Sequence, residues 1–67
     1  MKLHFYVELK GDIDTLMLWG LIEKYKINLT ALEDTTWIYG DVQSVALGEI
    51  MSICSLFGDY KAEVHHV

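Results

Sequence analysis

The chain has 67 residues, 52% of them apolar, and sets ten acidic residues against five lysines without any arginine, for a formal charge of −5. That length permits one domain, residues 1–67, near the size where a single core only just suffices, and the apolar content excludes disorder. The acidic balance argues against a nucleic-acid partner, because a phosphate-binding surface is normally basic and arginine is its commonest contact.

Lys2 to Lys10 alternates strictly, with Leu3, Phe5, Val7 and Leu9 on one face and Lys2, His4, Tyr6, Glu8 and Lys10 on the other. That period predicts a half-buried strand. Gly11 and Asp12 break it, and Asp12 or Asp14 can cap a helix running to about Tyr25. Along that helix Leu18, Leu21, Ile22 and Tyr25 form one apolar stripe, while Ile13, Met17 and Gly20 lie roughly opposite. Two apolar faces predict one for a sheet and one for something else.

Ile27 to Leu32 reads as a second strand, Glu33-Asp34-Thr35 as a turn, and Thr36 to Gly40 as a third strand. Gly40-Asp41 is expected to end it, with Asp41 capping a second helix from Val42 to Phe57 that Gly58 terminates. This helix carries one charged residue, Glu49, and is apolar or small almost all round, with Ser44, Gly48, Ser52 and Ser55 on one narrow side. In so small a domain the surplus predicts a partner, most simply a second copy, with Ile50 and Met51 as candidate interface residues. Tyr60 to Val67 alternates again as a fourth strand.

No stretch is long and apolar enough for a membrane span, and Met1-Lys2-Leu3 passes straight into alternation without a signal-peptide pattern. Cys54, the one cysteine, lies inside the apolar helix, where a small buried hydrophobe is expected; a reducing, cytoplasmic setting follows.

The order β-α-β-β-α-β resembles the split pattern of ferredoxin-like folds: an α+β sandwich, a four-stranded antiparallel sheet in the order 4-1-3-2, and both helices on one face. A simple register between the outer and first strands sets Lys10 opposite Asp59, Glu8 opposite Lys61, Tyr6 opposite Glu63 and His4 opposite His65. His4 and His65 would be the nucleus of a metal site, which needs a third convergent ligand such as Glu63; the alternative is a solvated histidine pair. Tyr6, Trp37 and Tyr39 fall on the open face if Ile38 points to the helices. Their placement is similar to the stacking platform of RNA-recognition domains, but Thr35 to Gly40 lacks the basic-Gly-aromatic motif, so Trp37 and Tyr39 are assigned to a protein interface. Asp12, Asp14 and Asp41 precede the two helices, at what is expected to be one end of parallel first and third strands. Carboxylates are ordinary helix caps there, and with no nucleophile-base grouping, P-loop or CxxC the chain is expected to be non-catalytic and without a cofactor.

Lys10-Gly11-Asp12 and Lys26-Ile27-Asn28-Leu29 resemble the turn and second-strand entry of the ACT domain family, a small-molecule regulatory module. The resemblance implies an effector such as an amino acid held between protomers, and nominates Gly11, Asp12 and Asn28 as ligand-binding residues. The proline usual before the turn glycine is missing, and the gap from Gly11 to Asn28 is longer than the family pattern.

The leading expectation is a self-associating interaction or regulatory module: a homo-oligomer, or the companion of another protein. An ACT-like sensor is the second expectation. The third is an acidic inhibitor that mimics nucleic acid and whose binding would fall steeply with salt.

Overall fold

The alternation from Leu3 to Leu9 builds one of the two inner strands of a four-stranded antiparallel sheet. In the computed structural model, which describes residues 2–11 and 13–66, the order along the chain is β1 (Lys2–Lys10), α1 (Thr15–Tyr25), β2 (Asn28–Leu32), β3 (Thr35–Gln43), α2 (Ser44–Ser55) and β4 (Tyr60–His66). The strands lie side by side as β2-β3-β1-β4, the expected order read from the other edge. Phe5, Val7 and Leu9 of β1 and Ile38 and Val42 of β3 share one core with Leu18 and Leu21 of α1 and Ala46, Ile50 and Cys54 of α2. One face of the sheet is thereby covered by helices and the other left open.

The register between β1 and β4 is the one read from the charges, with Glu8 opposite Lys61, Tyr6 opposite Glu63 and His4 opposite His65, although the ladder ends at Leu9 and Tyr60, one step short of Lys10 and Asp59. β1 and β3 are antiparallel, pairing Lys2 with Gln43 and Lys10 with Thr35. This corrects the expectation that they run parallel, and it puts the starts of α1 and α2 at opposite ends of the sheet.

Asp14 caps α1 as expected, accepting from the Leu16 amide at 3.0 Å. The helix closes on Lys26 in the left-handed region, with the amides of Lys26 and Ile27 both donating to the Ile22 carbonyl. β2 and β3 join through a two-residue turn in which Glu33 takes a positive φ of 54°.

The expected break at Gly40-Asp41 does not occur. β3 continues through both residues to Gln43, and α2 begins directly at Ser44. Asp41 is therefore a strand residue, not the cap of α2. Gly40 serves close packing: a Cβ there would stand 3.0 Å from Ile27 Cγ2 and 3.3 Å from Ile27 Cα.

α2 buries Ala46, Ile50 and Cys54, spaced one turn apart, and half-buries Leu47, Met51 and Ile53. Ile50 is fully buried, which removes it from any surface role in the folded chain and corrects its assignment to an interface. The small-residue side, Ser44, Gly48, Ser52 and Ser55, faces solvent. Burial pushes the Cys54 thiol up to about 11. The thiolate is the reactive form, so alkylation of Cys54 at pH 8 is expected to be far slower than for a free thiol, and to accelerate only through the urea unfolding transition.

Candidate functional site

The open face of the sheet is built by the side chains that alternate outward from all four strands. Ile38 is buried, so Trp37 and Tyr39 emerge on that face beside Tyr6, as the sequence implies. The polar atoms there engage one another across strands. Trp37 Nε1 donates to Glu8 Oε1 at 3.1 Å, the hydroxyls of Thr30 and Tyr39 lie 3.1 Å apart, and His4 Nδ1 meets Asp41 Oδ1 at 2.8 Å. A carboxylate only accepts, so Nδ1 of His4 carries the proton of that bond, and Nε2 is left for another partner. His65 stands opposite His4 on the neighbouring strand. Among the described residues no three His, Cys, Asp or Glu side chains converge into a set that could hold a metal ion.

Where β1 begins, two adjoining cavities of about 350 and 490 Å³ share Lys2, Tyr25, Lys26 and Asp41 in their walls. Lys24 lines the first, and His4, Asn28 and Tyr39 line the second. Three of the five lysines of an acidic chain thus gather at one end of the sheet. No sequence pattern pointed to them, because β1 supplies Lys2 and the close of α1 supplies Lys24 and Lys26, elements that only the tertiary fold brings together.

Of the residues nominated through the ACT resemblance, Gly11 and Asn28 lie apart. Asn28 lies opposite Tyr39, whereas the Gly11 amide donates to the Asp34 carbonyl at the hairpin tip. Tyr39 and Thr35 are separated by four steps along β3, roughly 13 Å at the rise of a strand. Asp12 lies outside the described residues.

Lys24 and Tyr25, both in the wall of the first cavity, are held by one carboxylate. Glu49 of α2 accepts from Tyr25 Oη at 2.6 Å and from Lys24 Nζ at 3.1 and 3.2 Å, tying the last turn of α1 to α2. The Tyr25 hydroxyl, with Lys24 second, holds the Glu49 carboxyl below its ordinary range, and Glu49, with Tyr25 second, holds the Lys24 ammonium above its own. A carboxyl depressed on folding adds stability above its unfolded pKa and loses it as the pH falls through the folded one. The melting-temperature gap between wild type and Glu49→Gln is therefore expected to be small and constant near neutrality. It should close as the pH drops below the ordinary glutamate range; a gap unchanged down to pH 2 would contradict the assignment.

No family model, curated protein or solved structure matches the chain. Among the described residues no helix is long and apolar enough to cross a membrane.

Proposed function

We propose that this chain is a non-catalytic interaction module of ferredoxin-like form that associates with a second copy of itself. The observation that supports this reading best is the apolar surface outside the filled core. Leu16, Met17 and Trp19 on α1, Val45 on α2, Leu56 just after α2, Leu32 on β2 and Val64 on β4 all stand exposed, Leu16 at 78% and Val45 at 87%. Single exposed apolar side chains are ordinary, but this many on a domain of 67 residues favours association. The mutual pairing of polar groups on the open face fits a binding surface better than a reactive centre, where such groups stand ready for a substrate.

Light scattering over a wide range of concentration, in low and high salt, tests the proposal. A dimer or larger species that persists in high salt is the expected result, since apolar contact is nearly insensitive to screening. A monomer at every concentration overturns it.

The lysine-rich groove favours a second reading, a sensor of small anions such as an amino-acid carboxylate. On that reading millimolar ligand raises the melting temperature of the wild type, and Lys2→Glu with Lys26→Glu abolishes the rise. A flat response across amino acids and inorganic phosphate sets it aside.

A further inference from the structure

Resting on the self-association just proposed, we infer that the contact is made by β4, which pairs antiparallel with β4 of a second copy about a two-fold axis at Ala62. β4 is the last strand at one edge of the sheet, and every residue from Lys61 to His66 is exposed. α2 packs mainly on β3 and β1, so on the helix side β4 is covered at Tyr60, which packs on the core, and largely uncovered beyond it: Val64, register partner of the fully buried Phe5, is itself 44% exposed. An open edge of seven residues without proline is a template for another strand unless charges, bulges or a covering element block it.

Here the charges alternate in sign about Ala62. An antiparallel copy with its axis at Ala62 places Lys61 against the second copy's Glu63 and Tyr60 against the second copy's Val64, each twice by symmetry. Just beyond the strand, Asp59 then falls against the second copy's His65. The charged pairs lie on the open face, because Lys61 and Glu63 are opposite Glu8 and Tyr6, and the Tyr-Val pairs lie on the helix face, where they cover the exposed valine. Both nearest alternatives that keep the helices on one side are self-repelling. Shifting the axis to Lys61 sets that lysine against its copy and Asp59 against Glu63, and shifting it to Glu63 sets that carboxylate against its copy. The strand is thus self-complementary in one register, the property a two-fold interface requires. The product is a continuous eight-stranded sheet, since each copy contributes the four strands of its own.

A charge exchange tests this. In Lys61→Glu both pairs become Glu-Glu, and in Glu63→Lys both become Lys-Lys, so each variant alone is expected to dimerise more weakly than wild type, on the order of tenfold or more in Kd. Mixed one to one, the two variants restore both pairs and should form a heterodimer, seen by light scattering or by native mass spectrometry. Because each variant monomer is the same molecule alone or mixed, an effect on its own folding cannot mimic the restoration. Should either variant fail to fold by circular dichroism, hydrogen exchange of the wild type replaces the test: β4 amides should gain protection as concentration rises. Variants that dimerise as tightly as wild type, or a mixture no tighter than its components, would overturn the β4 contact while leaving self-association intact. Exchange in β4 that is independent of concentration in a wild-type dimer would do the same. A wild type monomeric at all concentrations overturns both.

Discussion

Ile50→Asp is expected to yield no cooperatively folded protein, whereas Met51→Asp is expected to fold with a loss of about 1–2 kcal/mol. The two positions are adjacent in α2 but turned about 100° apart, which places Ile50 at the centre of the core and leaves Met51 half-buried. An aspartate at Ile50 forfeits the packing of a buried branched side chain and leaves either an unpaired charge or an unsatisfied acid among Phe5, Val7 and Cys54, a cost of about 4 kcal/mol or more. A domain of 67 residues has a total stability of roughly 3–10 kcal/mol, so that loss takes most or all of it. At Met51 the carboxylate can turn toward water. Urea denaturation followed by circular dichroism distinguishes the outcomes, and an Ile50→Asp protein with a cooperative transition near that of Met51→Asp would refute the placement of the core.

The second large effect is expected at Gly40. Gly40→Ala should lower stability by about 2–4 kcal/mol, combining overpacking against Ile27 with a backbone φ of +156° that side chains disfavour. The nearest contact, 3.0 Å to Ile27 Cγ2, is with the atom that Ile27→Ala removes. The double variant should consequently lose less than the sum of the two singles, by up to about 1 kcal/mol, because the cavity left by one change receives the atom added by the other. Strict additivity in urea melts would show that the contact is relieved in some other way.

Gly40 also explains where sequence reasoning failed. Gly-Asp is a strong turn signal because glycine supplies unusual dihedrals and aspartate competes for nearby amides. Both residues answer to tertiary demands instead: Gly40 to the passage of Ile27, and Asp41 to His4 on the adjacent strand. Neither partner is close in sequence, so no local pattern reveals them, and the helix boundary was displaced by two residues. The alternations of β1 and β4, by contrast, were legible with their mutual register, because charge pairing and burial period point to the same alignment. The surplus of apolar side chains on α2 was also legible, though not their direction, and Ile50 turned inward. Of the groove, only Asn28 among its lining residues had been nominated as a ligand contact, through the family resemblance. The lysines around it come from two separate elements and form no motif.

The pairing of β1 with β4 joins Leu3 to His66, close to the two ends of the described chain. β1, one of the two inner strands, is made before the other strands of this sheet, yet one of its two neighbours, β4, is made after them. Until β4 arrives, β1 shows a row of unpaired amides and carbonyls beside Phe5 and Val7, a surface prone to capture by other strands. Closing that contact requires a loop of nearly the whole described chain, which places folding toward the slow range for domains of this size. Cells that express this chain therefore face their greatest risk of aggregation before β4 emerges, when a holdase that covers the edge of β1 would have its largest effect.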